Sequence, residues 1–153
     1  MATIFLSLGA NIGEREENIL RAIELLKTRV GRCVNVSDFY ISDACGFESE
    51  NKFVNIAAEF ETSLQPVELL KITQQIERTL GRKNKTRNGK YSDRIIDIDI
   101  LFYDNQIIDL QQLTIPHPLL HKRNFVLEPL AEIAPEFKHP VLKKNIKELA
   151  ESE

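Results

Sequence analysis

The chain has 153 residues, 42% of them hydrophobic, which suits one domain built on a single core. Its formal net charge of −3 excludes a whole-molecule field made for nucleic acid. Cys33 and Cys45 are too few for a disulfide framework, and no apolar run approaches the ~20 residues of a membrane span.

The opening Met-Ala-Thr-Ile-Phe-Leu-Ser-Leu-Gly carries no basic leader and breaks at Gly9, so a cytoplasmic location is expected. Residues 2–8 are rich in β-formers and predict a first strand. Asn11-Ile12-Gly13 then turns into a helix over Glu14–Val30, with Ile19, Ile23, Leu26 and Val30 at helical spacing and Gly31 as the stop. Val34–Ile41 reads as a strand, 42–52 as a loop, and Phe53–Thr62 as a strand in which Val54, Ile56, Ala58 and Phe60 alternate with the rest. Pro66 opens a second helix whose stripe is Leu69, Ile72, Ile76 and Leu80, closed by Gly81. A basic loop follows to Asp93, then a strand over Ile95–Tyr103 and a short arm at Ile107–Leu110. Thr114-Ile115-Pro116-His117-Pro118 is a stiff extended segment. Residues 122–133 read as a helix that Pro129 should kink or break, and 145–153 as a short closing helix.

The order β-α-β-β-α-β predicts an α+β chain with a ferredoxin-like, split βαβ arrangement: an antiparallel sheet, helices packed on one face, and C-terminal helical additions. One domain is expected over residues 1–153.

The chemistry concentrates in Arg94-Ile95-Ile96-Asp97-Ile98-Asp99-Ile100-Leu101. Alternation sends Ile96, Ile98, Ile100 and Phe102 to one face and Asp97 and Asp99 to the other, with the aspartate Cα atoms roughly 6–7 Å apart. Two carboxylates so close call for a cation, and Mg²⁺ binds through one or two carboxylates plus substrate phosphates. The plain alternative is an amphipathic strand with a wet face. Arg78, Arg82, Lys83, Lys85, Arg87, Lys90 and Arg94 crowd the adjoining stretch, and guanidinium forks suit phosphate oxygens. Neither GxxxxGK[ST] nor GxGxxG occurs, so any phosphate is held by side chains and metal rather than a glycine cradle. His117 lies between two prolines. Phe53, Asn55 and Phe125 offer a flat, amide-equipped pocket for a heteroaromatic ring, although pattern alone assigns both phenylalanines to the core.

Asp93-Arg94-Ile95-Ile96-Asp97-Ile98-Asp99-Ile100-Leu101 resembles the R-x-x-D-[LIV]-D-[LIV]-[LM] signature of 6-hydroxymethyl-7,8-dihydropterin pyrophosphokinases. The likeness runs through Ser7-Leu8-Gly9-Ala10-Asn11, Phe53-Val54-Asn55, Gln75-Ile76-Glu77, Gly81-Arg82, Thr114-Ile115-Pro116-His117, Arg123-Asn124-Phe125 and Glu128-Pro129-Leu130. It implies a monomer that moves pyrophosphate from MgATP to the pterin hydroxymethyl group for folate synthesis, releasing AMP. Asp97 and Asp99 would bind two Mg²⁺ ions. Arg82 and Arg94 would serve catalysis and ATP phosphates, with His117, Arg123 and Glu77 also on the nucleotide. Ser42, Gly46, Phe53, Asn55 and Phe125 would hold the pterin, and Tyr91 would act as a loop lid. Tyr91-Ser92-Asp93 stands where the family commonly has Trp-Gly-Pro. The competing expectations are a degenerate relative and a non-catalytic polyanion-binding module of the same fold.

Overall fold

The computed structural model describes residues 1–42, 52–81 and 95–152. Its main sheet contains β1 (Ala2–Ala10), β2 (Gly31–Val36), β3 (Tyr40–Ser42), β4 (Phe53–Thr62) and β5 (Asp97–Tyr103), all pairs antiparallel. The order is β2-β4-β1-β5, with β3 continuing the β2 edge beside the start of β4. Connected by α1 (Arg15–Arg29) and α2 (Pro66–Thr79), these strands form the split βαβ arrangement expected from the sequence.

Helix α1 buries Ile19, Ala22, Ile23 and Leu26, and α2 buries Leu69, Thr73 and Ile76. Both stripes repeat every three or four residues, so each helix turns one face to the sheet. They cover Ile4, Leu6, Leu8, Val54, Ile56, Ala58, Phe60, Ile98 and Ile100. The opposite face is covered by α3 (Asn124–Ile133) and α4 (Ile146–Glu151), which seal Phe5, Ala57, Leu101 and Phe102 beneath Val126, Leu127, Leu130, Ile146 and Leu149. Burying each of these side chains contributes roughly 1.5–3 kcal/mol, enough to fix short C-terminal helices that would be unstable alone. Asn145 and Glu148 cap α4 reciprocally. The small hairpin β6 (Ile108–Asp109) and β7 (Thr114–Ile115) lies beside β5, and Ile115–Pro116 is cis.

Three local expectations need correction. The strand expected over Val34–Ile41 breaks at 37–39, because Ser37 turns its own side chain into the ladder. Its N–H donates to Ala57 O (2.9 Å), while its Oγ accepts from Ala57 N–H (2.9 Å). Phe102 does not share a face with Ile98 and Ile100. A bulge leaves Leu101 without a partner between Leu6↔Ile100 and Phe5↔Phe102, which reverses the alternation. Phe102 then packs against Phe5, Phe137 and His139. Pro129 does not break its helix; α3 runs through it, and the missing N–H merely leaves the Phe125 carbonyl without its intrahelical donor.

Candidate active site

The register of the sheet assembles the site. Opposed residues in an antiparallel pair share a face, and alternate residues along a strand return to it. Gly9 lies opposite Asn55 on one side and Asp97 on the other, while Ser7 lies opposite Ala57 and Asp99. Tyr40 pairs with Asn55 and Ser42 with Phe53. One sheet face therefore carries Ser42, Phe53 and Asn55 at one end of a row and Asp97 with Asp99 at the other. Gly9 sits between them. The row spans two strand spacings, about 10 Å from Asn55 to Asp97.

At the first end, Asn55 is 5% exposed and its Oδ1 has no hydrogen-bond partner among the described residues. Ser42 Oγ is likewise buried and unpartnered among them. Leaving a buried polar atom unmatched costs about 1–3 kcal/mol, so two such atoms on paired strands suit a polar ligand edge. A Cβ on Gly9 would collide with the Asn55 side-chain amide, so the glycine is what lets that side chain lie flat across β1. Phe125 stands in the first turn of α3, which covers this face, and the Arg123 guanidinium stacks 5.7 Å from its ring centroid.

At the other end, Asp97 and Asp99 are half-buried and Ile98 between them is buried against α2. Glu77, only 4% exposed, accepts a 2.7 Å hydrogen bond through Oε2 from the Ile98 backbone N–H. A cleft of about 220 Å³ opens beside Asp99, lined by Leu70, Ile100, Gln112, Thr114 and His117 among others. His117 is anchored through its N–H to Leu101 O (3.1 Å), and its Nδ1 accepts from Leu119 N–H (3.2 Å). The neutral ring then carries its proton on Nε2 as a donor.

Among the described residues no cluster of three or more His, Cys, Asp or Glu forms a closed metal cage. The pair Asp97 and Asp99 fits a hard cation that keeps open positions for phosphate and water oxygens, as Mg²⁺ does. The structure thus brings Asp99 and His117 to one cleft, with Asp97 on the same strand face, and Ser42, Phe53 and Asn55 to one end of that face. Arg82, Arg94, Tyr91 and Gly46 lie outside the described residues. Sequence reasoning did not single out Gln112 or Leu70, which carry no motif; Gln112 joins the cleft because the β6–β7 hairpin folds back beside β5, and Leu70 because α2 packs against β5.

A paired-carboxylate strand on a split βαβ sheet, with unpartnered buried polar atoms on the same face, suits a metal-dependent phosphoryl-transfer enzyme. Residues 5–135 match the family model described as 7,8-dihydro-6-hydroxymethylpterin-pyrophosphokinase. Among curated relatives is a 2-amino-4-hydroxy-6-hydroxymethyldihydropteridine pyrophosphokinase of Porphyromonas gingivalis, 44% identical over 92% of this chain and 95% of its own. A protein of the same name from Aquifex aeolicus is 43% identical over 97% of this chain and 90% of its own. One from Bacillus subtilis is 45% identical over 84% and 76% respectively. The chain belongs to the 7,8-dihydro-6-hydroxymethylpterin-pyrophosphokinase family. Its fold is also that of the Plasmodium falciparum HPPK-DHPS crystal structure with pteroate, with a TM-score of 0.79 at 19% identity. That match covers 99% of this chain but only 42% of the longer one.

Proposed function

We infer that this chain transfers pyrophosphate from ATP to the hydroxymethyl group of 6-hydroxymethyl-7,8-dihydropterin, as one domain over residues 1–153. The observation that carries the reading is the row Asn55–Gly9–Asp97, which sets an amide oxygen without a partner among the described residues about 10 Å from a carboxylate pair suited to metal-bound phosphates. Ser42 and Asn55 hold the polar edge of the pterin, with Phe53 and Phe125 on its faces, and Gly46 is a further pterin-binding residue by the family resemblance. Asp97 and Asp99 would hold two Mg²⁺ ions, which neutralise the polyphosphate and bridge it to the strand when bound. His117, Arg123, Arg82 and Arg94 bind ATP phosphate oxygens, Arg82 and Arg94 acting in catalysis. Glu77 borders the nucleotide from α2, and Tyr91 is assigned the loop-lid role by the family resemblance alone.

The chemistry needs no protein nucleophile. The pterin hydroxyl oxygen attacks the β-phosphorus, forming a new O–P bond. The bond from that phosphorus to the α,β-bridging oxygen breaks, the hydroxyl proton passes to solvent, and AMP leaves. What the chain contributes is alignment of the two substrates and cationic donors for the charge on the phosphoryl oxygens. The proposal includes a monomer working in the cytoplasm, where both substrates diffuse freely. Among the described residues no helix is long and apolar enough to cross a membrane.

Calorimetric titration with a non-hydrolysable ATP analogue and the pterin tests this reading. Nucleotide binding that requires Mg²⁺, followed by pterin binding, supports it. Salt-sensitive binding of polyanions at equal strength in EDTA instead indicates the polyanion-binding module.

A further inference from the structure

We propose that Glu77 is a positioning residue for the aspartate pair, acting through the peptide of Ile98. The inference rests on the reading that Asp97 and Asp99 hold divalent cations.

Strand β5 is the last strand of the main sheet, with β1 on one side. In an antiparallel ladder alternate residues turn their N–H and C=O groups away from the neighbouring strand, and at an edge those groups need another partner. For Ile98 the partner is Glu77, at 2.7 Å. The carboxylate comes from α2, where Leu69, Thr73 and Ile76 occupy the remaining sheet-facing positions. An apolar side chain at 77 would pack there without desolvating a charge. A carboxylate that is 4% exposed is retained only where its bonds repay burial.

The bonded peptide is the one between the two aspartates. Ile98 points its side chain into the α1–α2 core while Asp97 and Asp99 leave the strand on the other face. Rotation of the strand about its axis at Ile98 would swing both carboxylates together, because among the described residues β5 is the last strand of the sheet. The bond to Glu77 blocks that rotation. Metal ligands must stay within about 0.5 Å of their working geometry, so the aspartates depend on it. Glu77 need not touch metal to have this effect.

The test measures Mn²⁺ affinity from the paramagnetic resonance signal of free ion, at saturating α,β-methylene ATP, for the unaltered chain, Glu77→Gln and Glu77→Met. The Gln side chain keeps a carbonyl acceptor for Ile98 N–H without charge; Met fills the volume with no comparable acceptor. The proposal predicts Mn²⁺ affinity within about threefold for Glu77→Gln and about tenfold weaker for Glu77→Met, with both variants folded by thermal melting. Equal affinity in Glu77→Met overturns it. An equal loss in both variants also overturns it, because charge rather than the hydrogen bond would then be responsible. Should Glu77→Met fail to fold, Glu77→Gln decides alone: retention upholds the proposal and a tenfold loss overturns it. Failure of the unaltered chain to hold Mn²⁺ removes the metal assignment and this inference with it.

Discussion

The side chain of Asn55 lies across Gly9 in the space that any Cβ there would fill. The contact links the central strand to the Asn55 end of the candidate site. Gly9→Ala should push the amide off the sheet while leaving the strand intact, since Ala is tolerated in extended backbone. The expected result is about a tenfold rise in the pterin KM with the ATP KM unchanged. Steady-state kinetics with each substrate varied in turn checks it, and an unchanged pterin KM would show that Asn55 does not hold the ring.

Ser42 makes a complementary case. Its buried Oγ has no partner among the described residues, so Ser42→Ala should stabilise the ligand-free protein by about 1 kcal/mol while weakening pterin binding. Thermal melting with and without pterin separates the two effects. Destabilisation of the free protein would mean the hydroxyl is structurally bonded.

Asp97 and Asp99 are half-buried on the face away from the α1–α2 core, so replacing either by Ala should spare the fold. Turnover should fall about 100-fold or more, with Mg²⁺-dependent nucleotide binding lost in parallel. Near-normal turnover in either variant would remove the two-metal reading.

His139 is 5% exposed, and its Nδ1 accepts from the N–H groups of Val141 and Leu142. Burial, with His121 nearby adding to it, holds this imidazole below its ordinary value. The unfolded chain therefore binds a proton first as pH falls. Stability should be full above about pH 6.5, then decline as pH drops from there toward the folded imidazole's own lower value. Asn at this position offers an acceptor that does not titrate, so His139→Asn should flatten that slope in urea melts between pH 7.5 and 5.5. An unchanged slope would place the sensitivity elsewhere.

Much of the site is legible in the sequence because its period is two. Asp97 and Asp99 fall on one face by alternation, and Asn55 follows from the regular pattern of Phe53–Thr62, which the structure reproduces as β4. Alternation fails where a residue bonds or bulges out of turn. Ser37 replaces ladder bonds with its own hydroxyl, and Leu101 bulges and sends Phe102 to the far face; neither has a local signature. Pairing register is equally hidden. That Gly9 stands between Asn55 and Asp97 depends on contacts separated by more than forty residues in each direction. Glu77 shows the same limit from another side. Helical spacing sets it on the edge of a buried stripe, but only the packed structure aims its carboxylate at the Ile98 peptide.

The most direct test of pyrophosphoryl transfer is a product assay with ATP, Mg²⁺ and 6-hydroxymethyl-7,8-dihydropterin, resolved by chromatography. The account predicts AMP and a pterin diphosphate in equal amounts, both lost without pterin or with EDTA. ADP as the nucleotide product, or AMP released at the same rate without pterin, would contradict it.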